Sequence, residues 1–352
     1  MSFTYLQNLV KLAGGDRRLQ PCLAIYYVTM QCNFNCVYCE DFGQRRNLEA
    51  IPSLPLEDAL RVLKVMRQAS DSLMITGGEP LLYPQIGPLL ERARRELRFR
   101  HITLTTNAVL PRLEGLLPRI DRLVISLDSL DPQQWSGILR MPVEAAQTVQ
   151  ENIRRYALRQ QADHFCLILN AVLSPETLPG APALIEFCRQ QRILVSFSPQ
   201  MVNNWPRYDL LVSPEYKAFV QELLNAKRRG APVLGSLAYL QNLLELRPFS
   251  CYPTLTPRIL PNGDLTYPCR PIEKAGLSHG GRPCNLLQVA SWKEAQAISL
   301  AQYGPPPRVC NSCFQQCYAE SSLMQARPFD WLMEWLLYPP SRRAALDRYA
   351  PG

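Results

Sequence analysis

Residues 30–40 read MQCNFNCVYCE and place Cys32, Cys36 and Cys39 in a C-x3-C-x2-C array directly after a strand-like run. Three cysteines so close together cannot all pair as disulfides, whereas three thiolates on one loop can converge on three corners of an iron–sulfur cube. A structural zinc ion normally takes four protein ligands, and no nearby histidine supplies a fourth. The array therefore predicts a cluster in which one iron has no protein ligand.

This array, with Tyr38 immediately before its last cysteine, resembles the signature of the radical S-adenosylmethionine (SAM) superfamily. The resemblance implies that Cys32, Cys36 and Cys39 hold a [4Fe-4S] cluster, and that the amino and carboxylate groups of SAM bind the open iron. It also implies that Tyr38 lies near the adenine of SAM. We expect the cluster to receive its electron from an external donor such as flavodoxin or ferredoxin.

The composition indicates an ordinary well-packed protein. The chain has 352 residues, 47% of them hydrophobic, and its net charge of +8 is spread along the sequence. It has no run of about 18 apolar residues and no signal-peptide core at its start, so we expect a cytoplasmic protein. Thiols stay reduced there, and clustered cysteines then indicate metal ligation or catalysis. The scattered basic residues are typical of solvated helix faces, and we expect no nucleic-acid binding.

Residues 21–209 alternate between strand-like and helical patterns. Apolar strand-like runs lie at 23–29, 72–76, 101–106, 122–128, 165–173 and 193–199. Strands separated by helices favour an α/β fold with a parallel sheet and right-handed crossovers, either open or partly closed. The radical SAM resemblance implies a partial (β/α)6 TIM-like barrel, with the reactive groups at the carboxyl ends of the strands. That location agrees with the general rule for parallel sheets.

The second strand runs into the sequence Thr-Gly-Gly-Glu-Pro, which ends at Pro80. Gly77 and Gly78 allow a close backbone approach, and Glu79 offers an acceptor for an ammonium group. By itself this sequence is also typical of a tight strand-to-helix turn. It resembles the GGEP motif of the family, whose backbone engages the amino group of SAM, so Gly77, Gly78, Glu79 and Pro80 are candidate SAM-binding residues.

Polar side chains follow the later strands. Thr106, Asn107 and Ser126 stand where strands end, and helix N-capping is the alternative role for such residues. The resemblance implies that they contact the ribose or methionyl part of SAM. It also makes Arg140 a candidate for the SAM carboxylate, and Asn170 a candidate for the adenosyl group.

A second cysteine field begins at Cys251. Cys251 and Cys269 flank a β-hairpin pattern with Asn-Gly at its turn, and Cys310 and Cys313 form a CxxC pair about 40 residues later. These four residues suit a zinc ribbon and a cluster equally well on chemistry alone. Behind a radical SAM barrel they resemble a twitch domain, the shortened relative of the SPASM domain. The resemblance implies a second, auxiliary [4Fe-4S] cluster. Cys284 and Cys317 remain as alternative ligands or hydrogen-atom donors near the substrate.

An apolar stretch at 328–338 is too short to span a bilayer. Packing across the open barrel is the default expectation, with a membrane-facing or partner-facing surface as the alternative. The predicted domain boundaries are a lead-in helix at 1–20, the barrel at 21–209, a helical linker at 210–247, a cysteine-rich hairpin and helix domain at 248–322, and the apolar segment at 323–352.

The resemblance implies reductive cleavage of SAM to a 5'-deoxyadenosyl radical, which takes hydrogen from an unreactive C–H bond. An auxiliary cluster suits the removal of a second electron, so the leading hypothesis is oxidation or rearrangement of a non-peptide substrate. The alternatives are maturation of a ribosomal peptide by crosslinking or epimerisation, and modification of a lipid, isoprenoid or tetrapyrrole. A non-catalytic metal-binding interaction protein is the alternative from a different class.

Overall fold

The fold is built on six parallel strands that follow one another both in the chain and in the sheet. The computed structural model describes residues 3–39, 51–202, 205–274, 282–306, 309–310 and 313–337. After helix α1 (Phe3–Ala13), the strands are β1 (Ala24–Tyr27), β2 (Ser72–Thr76), β3 (His101–Thr106), β4 (Arg122–Ser126), β5 (Cys166–Leu173) and β6 (Leu194–Pro199). They pair in that order, all in parallel. The predicted α/β fold with a parallel, partly closed sheet is confirmed.

Helices cover this sheet and bury its apolar side chains. They are α2 (Leu56–Ala69), α3 (Ile86–Arg95), α4 (Pro132–Leu139), α5 (Val143–Arg159) and α6 (Ala181–Gln191). A 3₁₀ segment, Pro111–Arg119, connects β3 and β4. The sequence pattern does not predict α4. Asp131 caps it by accepting a hydrogen bond from the backbone N–H of Gln133 (2.9 Å), and Trp135 anchors it in the core.

The chain after β6 is a series of short strands and helices. They are β7 (Met201–Val202), β8 (Trp205–Pro206), α7 (Tyr208–Val212), α8 (Pro214–Arg228), α9 (Leu237–Glu245), β9 (Phe249–Ser250), β10 (Arg258–Ile259), β11 (Asp264–Thr266), α10 (Arg270–Lys274), β12 (Cys284–Asn285), α11 (Trp292–Tyr303), β13 (Val309–Cys310), α12 (Gln316–Ala326) and α13 (Pro328–Leu337). In the ranges given above, no helix is both long and apolar enough to cross a membrane.

The predicted hairpin is formed by β10 and β11, and Gly263 at its turn has a φ of +89°. One strand of this hairpin, β10, also pairs in parallel with β1. The main sheet therefore has the order β12-β11-β10-β1-β2-β3-β4-β5-β6. This pairing places the hairpin between Cys251 and Cys269 directly beside the strand that leads into the first cysteine array.

The apolar stretch at the end of the described chain forms α13, which packs on α9 and α12. Glu334 of α13 is buried and pairs with the buried Lys227 of α8 at 3.4 Å between Oε1 and Nζ. Its Oε2 accepts a hydrogen bond from the backbone N–H of Leu237 (2.8 Å). Positions 338–352 of the predicted C-terminal segment lie outside the described residues.

Substituting Glu334 by alanine should lower the free energy of unfolding by about 3 kcal/mol, because buried Lys227 would lose the carboxylate that it pairs with and keep its hydrogen bond to the carbonyl of Val233 (3.1 Å). Chemical denaturation measures the change, and Glu222→Ala on the exposed side of α8 is the matched control. The double variant Lys227→Met/Glu334→Leu should recover most of the loss. A loss in Glu334→Ala no larger than that in Glu222→Ala would show that the buried pair does not hold α13 in place.

Candidate functional site

The cysteine array occupies the loop after β1, at the carboxyl end of the parallel sheet. Cys32, Cys36 and Cys39 are all partly exposed and form no disulfide. The loop is fastened to the last turn of α4, since the backbone N–H groups of residues 35 and 37 donate to the carbonyls of residues 139 (3.2 Å) and 138 (2.9 Å). The unpredicted helix α4 therefore positions the array.

The three thiols influence one another electrostatically. Burial, with smaller contributions from the charges of Glu79 and Cys39, raises the pKa of Cys32 to about 11. Burial also raises the pKa of Cys36 above its ordinary value, with contributions from Asp128 and both other cysteines. Over the described residues, no three His, Cys, Asp or Glu side chains are arranged to hold a single metal ion. Three neighbouring thiols form a donor set that suits an iron–sulfur cluster, whose metal ions favour the thiolate form.

The two glycines after β2 pack directly against the segment that leads into the array. The N–H of Gly78 donates to the carbonyl of Thr29 (2.9 Å), and the N–H of Glu79 donates to the carbonyl of Gln31 (2.8 Å). A Cβ on Gly78 would lie 2.1 Å from the Gln31 oxygen, and one on Gly77 would lie 2.4 Å from the Thr29 oxygen. Gly77 also has a φ of +143°. Only glycine fits at both positions.

Glu79 uses its carboxylate to join the ends of β2 and β3. Its Oε1 accepts hydrogen bonds from the backbone N–H of Leu81 (2.9 Å) and the hydroxyl of Thr106 (2.7 Å). Its Oε2 accepts from the backbone N–H of Asn107 (2.7 Å). Burial raises the pKa of this carboxyl, and these three hydrogen bonds oppose the rise. Pro80 begins the short 3₁₀ turn Pro80–Leu82 that follows. Glu79 therefore supports the site by holding the loop after β2 against the end of β3.

Glu79→Gln should lower the free energy of unfolding by about 2 kcal/mol, because the amide NH₂ would face a backbone or hydroxyl donor in a buried position. Urea denaturation measures the loss. Glu222→Gln, which changes the same groups on an exposed helix surface, should alter stability by less than about 0.5 kcal/mol. Equal effects in the two variants would contradict the structural role of the buried carboxylate.

Other predicted residues line the same end of the sheet. Asn107 donates from Nδ2 to Oδ1 of Asn33 in the cysteine loop (2.8 Å). Ser126 stands opposite Asn170 in the β4–β5 register, and Asn170 stands opposite Ser196 in the β5–β6 register. The hydroxyl of Ser196 donates to Oδ1 of Asn170 (2.8 Å). Strands β4, β5 and β6 thus form a polar row, in which Ser196 was not predicted.

Arg140 lies at the C-terminal end of α4, directly after the carbonyls that hold the cysteine loop. It is exposed and adopts a left-handed backbone conformation with a φ of +53°. The structure therefore places Arg140 at the edge of the site, next in the chain to residues that contact the array.

Asp128 is a site residue that the sequence analysis did not select. It is 1% exposed, and the Tyr38 hydroxyl donates a hydrogen bond to its Oδ2. The backbone N–H of Val172 donates to its Oδ1 (2.8 Å). Burial raises the pKa of Asp128 to about 6 and raises that of Tyr38 well above its ordinary value. Asp128 therefore fixes the aromatic side chain in the middle of the array. The sequence feature that could have identified Asp128 is its position as a carboxylate two residues after the end of β4.

Part of the second cysteine field forms one compact group. Cys269, Cys313 and Tyr318 are buried together, and Cys317 packs against them. Burial raises the pKa of Cys313, and the charges of Cys317 and Cys269 add to the rise. We call Cys269, Cys313 and Cys317 the second cysteine group.

The remaining cysteines of this field differ in their surroundings. The Sγ of Cys251 lies 3.8 Å from the hydroxyl of Ser322 on α12. Cys310 stands opposite Phe249 in the β9–β13 pair, and its backbone alone is described. Cys284 is buried in the main core, opposite Leu265 in the β11–β12 pair. Of the two spare cysteines, Cys317 therefore joins the second cysteine group and Cys284 lies in the main core.

Comparison with known proteins gives agreeing results. Residues 26–178 match the Radical SAM superfamily model. A GTP 3',8-cyclase of Rhodococcus opacus (strain B4) is 27% identical over 215 residues, which cover 58% of this chain and 59% of that protein. The chain thus spans less than two thirds of the length of this relative.

Two solved structures have a similar fold. Streptococcus suis SuiB bound to S-adenosylmethionine aligns with a TM-score of 0.60 and 21% identity, over 85% of this chain and 70% of SuiB. The protein anSMEcpe with bound AdoMet aligns with a TM-score of 0.61 and 14% identity, over 93% of this chain and 98% of its own. Residues 26–178, which carry the cysteine array, the two glycines and strands β2 to β5, match the Radical SAM superfamily model and therefore form a radical SAM domain.

Proposed function

We propose that the chain is a radical SAM enzyme that cleaves SAM reductively and takes a hydrogen atom from an unactivated C–H bond of a non-peptide substrate. The observation that carries the proposal is the set of three neighbouring thiols on the loop after β1, packed against the two glycines inside a radical SAM domain. Oxidation or rearrangement is the proposed net reaction.

In this proposal Cys32, Cys36 and Cys39 hold a [4Fe-4S] cluster. Such a cluster, when bound and reduced by an external flavodoxin or ferredoxin, supplies the electron that splits SAM. The backbone of residues 77–80 receives the amino group of SAM. The Glu79 carboxylate accepts three hydrogen bonds from within the protein, so in this proposal its role is to hold that backbone in place.

The remaining candidate residues orient SAM. Tyr38, whose hydroxyl is held by Asp128, has its ring beside the adenine. Asn107 is held by the cysteine loop and would contact the ribose or methionyl part. The Thr106 hydroxyl donates to Glu79, so Thr106 would support this region of the site through that hydrogen bond. Ser126 and Asn170 supply the polar row next to the adenosyl group. Arg140 supplies a positive charge at the edge of the site for the carboxylate.

A second [4Fe-4S] cluster is proposed for the second cysteine field. Cys269 and Cys313 are brought together there, while Cys251 and Cys310 lie along the paired strands β9 and β13 or directly after them. The hairpin that carries this field pairs with β1, which leads into the first array. A cluster there would supply the acceptor for the second electron when a substrate radical is oxidised.

A purine nucleotide is the second candidate substrate, favoured by the similarity to a GTP 3',8-cyclase. Tracing deuterium from labelled substrates into 5'-deoxyadenosine tests both candidates, because the radical removes hydrogen directly from the substrate carbon. The panel contains labelled GTP, labelled small metabolites that are substrates of enzymes encoded near the gene, and a labelled peptide. The Cys39→Ala protein is the negative control. Transfer from the peptide alone would overturn the non-peptide proposal. Transfer from GTP would select the nucleotide.

A further inference from the structure

Arg258, on β10, links the strand before the first cysteine array to the second cysteine group. Its Nη1 donates to the hydroxyl of Tyr27 at the end of β1 (3.0 Å). Its Nη2 donates to Oε1 of Gln315 (2.9 Å) and to Sγ of Cys317 (2.6 Å). The guanidinium carbon lies 4.3 Å from the ring centre of Tyr318. The guanidinium group is thus enclosed by aromatic, amide and sulfur groups.

This guanidinium is a buried positive charge in need of an anion. Arg258 is 7% exposed, and its Nε is buried without a hydrogen-bond acceptor. Its hydrogen-bond partners in the described chain include no carboxylate. A buried cation without a counter-charge is strongly disfavoured. The groups whose negative charge acts on it include the sulfurs of Cys317 and Cys313, together with Tyr27 and Tyr318. The environment of Arg258 is therefore suited to a thiolate-ligated, negatively charged group.

We propose that Arg258 is a positioning residue of the second cluster, and that Cys317 is one of the ligands of that cluster. Arg258 donates a hydrogen bond to the Cys317 thiolate, and its charge balances the net negative charge of a cluster bound by thiolates. Cys269 and Cys313 are ligands beside Cys317, because the three residues pack in one group. This inference rests on the proposed second cluster and gives it Cys317 as a ligand in place of Cys251 or Cys310, because a four-iron cluster takes at most four thiolates.

Hydrogen bonds to the ligand sulfurs and a nearby positive charge both raise the reduction potential of a cluster. Removing them should make the second cluster harder to reduce. Arg258→Met keeps a long side chain and loses the charge, whereas Arg258→Lys keeps the charge and loses the forked donors. Lysine should therefore shift the potential in the same direction as methionine, but by less.

The measurement is a potentiometric titration, followed by electron paramagnetic resonance, on full-length protein whose Cys32, Cys36 and Cys39 are all alanine. In this background only the second cluster remains. Arg258→Met should lower its midpoint potential, and the exposed Arg247→Met should leave it unchanged. Cys317→Ser should lose iron or change the resonance signal, whereas Cys284→Ser should keep both.

Each result has a distinct meaning. If the second cluster has the same midpoint potential with arginine, methionine or lysine at position 258, the proposed role of Arg258 is wrong. An unchanged iron content and resonance signal in Cys317→Ser overturns its assignment as a ligand. If the Arg258→Met protein does not bind iron, the midpoint potential of the Arg258→Lys protein is compared with that of the protein that keeps Arg258. A background that binds no cluster overturns the proposed second cluster and this inference with it, while SAM cleavage by the parent protein still tests the first cluster separately.

Discussion

Cys39→Ala should reduce SAM cleavage to the rate of a protein-free control. Cys39 lies beside Cys32 and Cys36 on the loop after β1, and the proposed cluster needs all three thiolates because only three of its irons have protein ligands. Losing one ligand leaves a second iron without a protein ligand, and the cluster is then no longer bound stably. The assay is the amount of 5'-deoxyadenosine formed with dithionite after anaerobic reconstitution.

Cys22→Ala is the matched control for this experiment. Cys22 is partly exposed, as Cys39 is. Its thiol contacts the carbonyl of Leu255 (3.4 Å) and does not belong to the cysteine array. It should cleave SAM at the parental rate. Parental cleavage by Cys39→Ala would remove this residue from the ligand set.

Gly78→Ala should weaken SAM binding by about a hundredfold or more. The added methyl group would meet the Gln31 carbonyl oxygen at 2.1 Å, so the loop before the cysteine array and the loop after β2 must separate. Overpacking against well-ordered atoms costs about 3 kcal/mol, which corresponds to a factor of about a hundred in an equilibrium constant. Isothermal titration with SAM on the reconstituted protein measures the loss.

Gly115→Ala is the control, because a Cβ at that position meets no other atom within 4 Å. It should bind SAM with the parental affinity. Equal affinities in Gly78→Ala and the parent would contradict the close packing of the two loops as the basis of the SAM site.

Much of the barrel follows from local sequence. The boundaries predicted for β2 and β3 are those observed, because each is a short apolar run bounded by polar or turn residues. The glycine pair was interpretable because a close backbone approach excludes side chains. Which backbone approaches, namely the carbonyls of Thr29 and Gln31, depends on the tertiary fold.

The rest of the site depends on contacts between distant parts of the chain. Helix α4 is eight residues long and contains Gly137, so its helical pattern is weak. The pairing of β10 with β1 involves only two residues of each strand, and no local pattern encodes it. Arg258 looks like any other basic residue in the sequence, and only this pairing buries it beside Cys317. Asp128 likewise gains its importance from Tyr38, which reaches it from another loop.

The most direct test of the central proposal is anaerobic reconstitution followed by the SAM cleavage assay on the same sample. We expect about eight iron atoms per chain, four for each of two clusters, and 5'-deoxyadenosine that appears only when both SAM and reductant are present. Bound zinc with no 5'-deoxyadenosine would contradict the assignment of this chain as a radical SAM enzyme.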